Sequence, residues 1–206
     1  MKNVIFDFDG TIVESLNFVI DMYLGWYPNN EHIKNIDVEK LREMPLTKVI
    51  EELRIRPWKV PALIVKGRHE MNKNIYQLKM VPGVENLIKS LDNNGVNLYI
   101  ASSNSVKNIN KYMKHKEMRS LFKKIYGSVG ILGKAKALNK IIDKNKLNRN
   151  DTYYIGDETR DIKASRKAGI HSIGVTWGYN GKQIMQNENP EFLVSKPSDI
   201  LRIILP

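Results

Sequence analysis

Val4-Ile5-Phe6-Asp7-Phe8 is a short, nearly continuous apolar run rich in β-branched and aromatic residues, and Gly10-Thr11 ends it. That texture fits a parallel strand covered on both faces, since a strand with one wet face would alternate polar and apolar residues. Asp7 and Asp9 stand two apart at its end, so the period-two alternation of a strand sends both carboxylates to the same side. In an open parallel sheet the ligand crevice lies beyond the carboxyl ends of the strands, which is where this acidic pair falls. Taken alone, the pair also fits two loop acids that cap a helix.

Outward from this stretch, strands and helices alternate from Pro82 almost to the end of the chain. Val84, Leu87, Ile88 and Leu91 recur at helical spacing after Pro82 and stop at Gly95. Strands follow at Asn97–Ala101, Ile125-Tyr126, Tyr153–Ile155 and His171–Val175. Between them lie helices around Val106–Met113, through Leu138, Ile141 and Ile142, and over Asp161–Ala168. The pattern predicts an α/β fold, a Rossmann-like, doubly wound parallel sheet. Residues 15–79 interrupt it, with helical periodicity in Leu16–Tyr23 and Leu46–Leu53, an interruption at Pro57 and Pro61, and a further helix toward Tyr76. The expected organisation is a core of residues 1–14 plus 80–206 carrying a helical cap at 15–79, with hinges near Glu14–Leu16 and Lys79–Pro82.

Three further features fall at strand ends. Asp157 and Asp161 form a second acidic pair after Gly156, with Glu158 beside them. Four carboxylates in one crevice raise one another's pKa or require a cation, and hard oxygen ligands without cysteine or histidine point to Mg²⁺. Read singly, Asp161 is also a helix N-cap and Asp157 a turn residue. Ser102-Ser103-Asn104-Ser105 closes a strand ahead of a helix and offers hydroxyls and free backbone amides to a phosphate oxygen, or serves as an ordinary serine-rich cap. Lys134 supplies a point charge for a phosphoryl group.

Composition narrows the alternatives. The chain has 206 residues, no cysteine, 42% hydrophobic and 27% charged residues and a formal charge of +11. Disulfide frameworks, thiolate metal sites and a cysteine nucleophile are excluded. Apolar stretches such as Pro61–Val65 fall far short of the ~18 residues that span a bilayer. The first nine residues carry two acids and do not form a signal-peptide core, so a cytoplasmic location is expected. Gly127–Lys134 superficially evokes a phosphate loop, but Ser128 and Ala135 break the pattern. Histidines 32, 69, 115 and 171 have no zinc-binding spacing and read as surface or packing residues. Lys107, Lys111, Lys114, Lys116, Arg119, Lys123 and Lys124 make the densest basic stretch. It lacks interleaved exposed aromatics, so it reads as a solvated face and nucleic acid is not the expected partner.

In order, Asp7-Phe8-Asp9-Gly10-Thr11, Ser102 after an apolar strand, Lys134 and Gly156-Asp157-Glu158-Thr159-Arg160-Asp161 resemble the four motifs of the haloacid dehalogenase superfamily. Val81-Pro82-Gly83-Val84 and the stretch from Gly169 to Gly178 are similar to its phosphoglycolate phosphatase-like branch. The resemblance covers the core, while residues 15–79 match only in being helical. It implies a phosphatase for a small phosphorylated metabolite in which Asp7 attacks phosphorus and becomes an aspartyl-phosphate. Asp9 would then protonate the leaving oxygen and activate water. It further implies Mg²⁺ held by the Asp7 carboxylate, the Asp9 carbonyl and Asp157, with Asp161 and Glu158 on the metal's waters. Ser102 and Lys134 would clamp the phosphoryl oxygens, with Gly10, Ser103 and Asn104 contributing to phosphate binding. Ser103 is an alternative to Ser102, and Lys136 to Lys134. An aspartate at position 9 favours phosphate esters over dehalogenation or phosphonate cleavage. A sugar phosphomutase and a non-catalytic binding protein are the competing readings. Trp26, Tyr27, Arg54, Arg56 and Arg68, within the cap, are candidates for specificity.

Overall fold

A computed structural model describes residues 1–130 and 133–205, with His32 described by its backbone alone. The reading of His32 as a surface or packing residue, and Ile131 and Leu132 within the phosphate-loop look-alike, lie outside the described residues. Six strands form one parallel sheet: β1 (Asn3–Phe6), β2 (Asn97–Ala101), β3 (Phe122–Tyr126), β4 (Thr152–Gly156), β5 (His171–Val175) and β6 (Phe192–Val194). Their spatial order is β3-β2-β1-β4-β5-β6, the doubly wound order in which the crossovers reverse direction between β1 and β4. In register, Phe6 pairs with Ile155 across that switch point and with Ile100 on the other side.

The period-two alternation sorts β1 between two apolar layers. Val4 and Phe6 join one cluster with Leu87, Ile88 and Leu91 of α6 (Val84–Asn93), Ile109 and Met113 of α7 (Val106–His115), and Ile200 and Ile204 of α11 (Pro197–Ile204). Ile5 faces the opposite cluster, with Leu138, Ile141 and Ile142 of α8 (Lys134–Asn145) and Ala164 and Ala168 of α9 (Thr159–Ala168). Each fully buried Leu, Ile or Phe in these layers contributes about 1.5–3 kcal/mol by leaving water. The run of apolar residues in β1 is thus explained by helices on both sides. At the β3 edge, Lys123 and Lys124 are exposed, charges that oppose pairing with another strand.

Between β1 and α6 the chain is helical: α1 (Leu16–Trp26), α2 (Glu31–Lys34), α3 (Val38–Arg42), α4 (Leu46–Glu52) and α5 (Val60–Lys73). Pro57 opens a 3-10 turn, and Pro61 lies in the first turn of α5. It therefore starts a helix there rather than interrupting one, as its missing N–H allows. The entrance and exit of this segment meet at an isolated bridge between Val13 and Met80. Glu14 also donates its N–H to the Lys79 carbonyl at 2.9 Å. The remaining helix, α10 (Lys182–Asn187), and strand β6 continue the alternation beyond β5.

Candidate active site

Strand β1 ends at Phe6, two residues earlier than the apolar run suggests, so Asp7 and Asp9 lie in the turn rather than on the strand. Strand alternation is therefore not what brings them together. Asp7 extends the ladder by one bond, donating its N–H to Ile155 at 2.8 Å. Asp9 sits in a tight turn closed by a bridge to Val13, after which Gly10 adopts φ +75°. A side chain at Gly10 would be strained by that φ and would meet Asp157 Oδ2 at 2.1 Å.

Asp7 is buried. One of its oxygens accepts the N–H of Phe8 at 2.7 Å, and the other accepts Lys134 Nζ at 2.6 Å. The same ammonium donates to Asp161, whose second oxygen accepts the N–H of Glu158 at 3.0 Å. Asp161 is therefore not the N-cap of α9, which is Glu158; it is the third helical residue, whose carboxylate reaches back to the Glu158 N–H in a capping box while also joining the acidic cluster. Asp157, on the residue after β4, accepts from Thr11 Oγ1 at 2.8 Å and from the N–H of Tyr179 at 2.7 Å. Carboxylate oxygens of Asp7, Asp157 and Asp161 all lie within 4.8 Å of one another. Asp9 is not part of that carboxylate cluster; its Oδ1 accepts from Asn104 Nδ2 at 3.2 Å.

Charge at this site is costly to bury, and the protonation equilibria reflect it. Burial, then the charges of Glu158, Asp161 and Asp7, push the Asp157 carboxyl well above the usual carboxylate range. Burial raises Asp161 to about 6, against the pull of Lys134. Asp9 rises to about 7, first through burial and then through Asp7, although part of its surface opens to the neighbouring cavity. Burial disfavours the Lys134 ammonium, yet Asp161 and Asp7 outweigh it and hold its pKa well above the ordinary lysine value. Three buried carboxylates against one ammonium form an oxygen-only donor set with spare negative charge, which fits a hard divalent cation such as Mg²⁺.

The remaining sequence candidates divide clearly. Lys134 is buried in the cluster, whereas Lys136 is exposed. Ser102 is fully buried, its Oγ accepting the N–H of Asn104 at 3.2 Å, while Ser103 and Asn104 line the cavity above Asp7 and Asp9. Glu158 and Arg160 line it too, and they form an ion pair. Nε and Nη1 of Arg160 are buried with no hydrogen-bond partner among the described residues. Of the five specificity candidates, Trp26 and Arg68 line the cavity; Tyr27, Arg54 and Arg56 do not. Sequence reasoning missed Thr11, Arg42, Gly178 and Tyr179. Arg42, at the end of α3, donates from Nε to the Gly178 carbonyl at 3.0 Å and from Nη2 to the Thr176 carbonyl at 2.7 Å. Thr11 lies in the first motif and Gly178 at the end of the Gly169–Gly178 stretch, but the roles of all four rest on contacts between distant segments that leave no local pattern.

Comparisons with known proteins agree with this architecture. Residues 4–175 match the family model of haloacid dehalogenase-like hydrolases. A phosphoglycolate phosphatase of Synechococcus elongatus is 32% identical over 99% of this chain and 97% of its own. A pyrophosphatase of Anoxybacillus flavithermus is 26% identical over the same shares of the two chains. Among solved structures, a haloacid dehalogenase-like hydrolase from Streptococcus pneumoniae superposes with a TM-score of 0.79 at 22% identity, covering 98% of each chain. Among the described residues no helix is long and apolar enough to cross a membrane. The chain belongs to the haloacid dehalogenase-like hydrolase family, in its phosphoglycolate phosphatase-like branch.

Proposed function

We propose that the chain is a cytoplasmic, Mg²⁺-dependent phosphatase that hydrolyses a phosphate monoester of a small metabolite through an aspartyl-phosphate on Asp7. Phosphoglycolate, the ester for which several relatives are named, is one member of this class. The observation that carries this reading is the convergence of Asp7, Asp157, Asp161 and Lys134 at the β1/β4 switch point, beside a cavity reached by Asp9.

In this mechanism a carboxylate oxygen of Asp7 forms a bond to phosphorus as the bond from phosphorus to the leaving oxygen breaks, and Asp9 gives that oxygen its proton. Asp9 then takes a proton from water, which attacks phosphorus, breaks the acyl-phosphate bond and releases phosphate. A carboxyl raised to about 7 suits both halves of this task, since it can lose and regain a proton near neutrality. Asp7 and Asp157 would hold the cation with the Asp9 carbonyl, and Asp161 and Glu158 would hold its waters. Bound there, Mg²⁺ would neutralise charge on the transferring phosphoryl group. Lys134 orients the Asp7 carboxylate through its 2.6 Å hydrogen bond, and Ser102, Ser103, Asn104 and the Gly10 turn offer donors to the phosphoryl oxygens. Residues 15–79 act as a cap that covers the ester and excludes water.

Phosphate release from an aryl phosphate, measured with Mg²⁺ and with chelator, tests the reading. Wild-type protein should release phosphate only with the metal. Asp7→Asn should fold normally and lose roughly three or more orders of magnitude in turnover. Equal release by Asp7→Asn would end the mechanism.

A further inference from the structure

A cavity of about 510 Å³ opens directly above Asp7 and Asp9, a size that suits ligands much larger than a two-carbon acid. Its two ends differ in chemistry. The floor is polar and comes from strand-end residues of the sheet, among them Asp7, Asp9, Ser103, Asn104 and Glu158. The walls are apolar and come from the inserted helices, including Val19 and Ile20 of α1, Leu41 of α3, Ile50 of α4, and Leu63 and Ile64 of α5. None of the side chains on α1, α3 or α4 is fully buried, although α1 and α4 carry apolar residues at core-like spacing. Their apolar faces surround space instead of closing on one another. Such surface gains free energy when an apolar group takes water's place.

The cationic side chains along the cavity do not offset this character. Arg42 is spent on the carbonyls of Thr176 and Gly178, while Arg160, whose Nη2 pairs with Glu158 and whose Nε and Nη1 have no partner among the described residues, belongs with Glu158 and Thr159 to the polar floor and not to the apolar walls. Lys34 and Arg68 are solvent-exposed. A polar floor that receives the phosphoryl end and a large apolar chamber that receives the rest together describe an amphipathic ester.

We infer that the alcohol side of the substrate is an apolar group of several carbons, lodged between α1, α4 and α5, rather than a short carboxylated fragment such as glycolate. The inference rests on the phosphatase reading and names the substrate class of the same site. If it holds, specificity is set chiefly by hydrophobic burial. Each added methylene should then raise kcat/KM about fourfold until the chamber is filled.

The experiment compares kcat/KM for methyl, butyl and hexyl phosphate, whose leaving oxygens are chemically alike, with that for phosphoglycolate, using Asp7→Asn as control. Five methylenes at about fourfold each give a hexyl-to-methyl ratio of roughly a thousand, and a ratio above about a hundred, with phosphoglycolate turned over less efficiently than hexyl phosphate, supports the inference. A smaller ratio, or a preference for phosphoglycolate, overturns it while leaving the phosphatase reading intact, provided Asp7→Asn is inactive. Turnover that survives in Asp7→Asn, or no release from any ester, overturns that reading and this inference with it. Ile50→Gln and Leu63→Gln, checked for normal thermal unfolding, should each lower the hexyl-to-methyl ratio severalfold. An unchanged ratio in both folded variants also counts against the chamber.

Discussion

Lys134 is the residue on which the acidic cluster depends. It occupies the first position of α8, where the helix dipole disfavours a cation, and it is almost wholly withdrawn from water. Its two ion pairs, to Asp7 and Asp161, are what sustain it there. Removing one partner of such a group costs far more than the pair itself contributes, because the remaining charges stay buried without compensation. Lys134→Met, similar in length but uncharged, should therefore destabilise the metal-free protein by about 3–5 kcal/mol near pH 7.5. The loss should shrink near pH 5. Carboxyls already raised by burial are raised further when the ammonium is gone, so in the folded variant they bind protons more readily than in the unfolded chain. A carboxyl raised on folding costs the fold nothing below its unfolded pKa and progressively more as pH climbs to its folded pKa, which sets the sign. Urea unfolding at the two pH values checks this, with Lys136→Met as the exposed control. Equal losses at both pH values would contradict the account.

At the scale of elements, α3 reaches across to the segment that follows β5. Besides the Arg42 bonds to Thr176 and Gly178, Gly181 donates its N–H to the Arg42 carbonyl at 2.8 Å. The Glu43 carboxylate accepts from the N–H groups of Gln183 and Ile184, so it caps the start of α10 from outside that helix. Gly181 permits the approach: a Cβ there would meet Glu43 Oε1 at 2.1 Å. The same loop holds Asp157 through the Tyr179 N–H, so Arg42 is a positioning residue that acts on Asp157 through residues 176–179. Arg42→Ala should raise the Mg²⁺ concentration for half-maximal activity several-fold. Arg42→Lys should not restore it, because two carbonyls are met by two nitrogens of one planar guanidinium. An unchanged Mg²⁺ requirement in a folded Arg42→Ala protein would rule the coupling out. These contacts also mark what the sequence could not disclose. Strands β2 and β5 were legible end to end because buried apolar runs between glycine and polar boundaries are local signals. Helices α2 and α3, of four and five residues, are too short to show periodicity and are started by the side-chain caps of Asn30 and Asp37. The acids of the site were legible from motif and strand-end position. Apart from the neighbouring backbone N–H groups of Phe8 and Glu158, the partners that orient them, Lys134, Thr11, Tyr179 and Asn104, come from residues distant in sequence.

For the molecule as a whole, the sheet order concentrates Asp7, Asp9, Asp157, Glu158 and Asp161 near one switch point, while the chain carries a formal charge of +11. The excess cations therefore lie elsewhere, and Lys107, Lys114, Lys123 and Lys124 are exposed. A phosphomonoester approaching from a distance meets a net positive field, which offsets the local repulsion of the acidic floor before any contact is made. Salt should weaken this attraction, because the Debye length falls from about 30 Å at 0.01 M to about 3 Å at 1 M. Over that range kcat/KM should drop by on the order of tenfold, the low end of electrostatic steering. At saturating ester kcat should change much less, since the dianion is already seated. Lys107→Glu, Lys114→Glu and Lys123→Glu combined should flatten the salt dependence of kcat/KM, because the field comes from the molecule's summed charge and not from a contact at the site. Parallel salt profiles for wild type and the triple variant would instead assign the dependence to residues inside the cavity, where Lys34 and Arg68 would be the next to reverse.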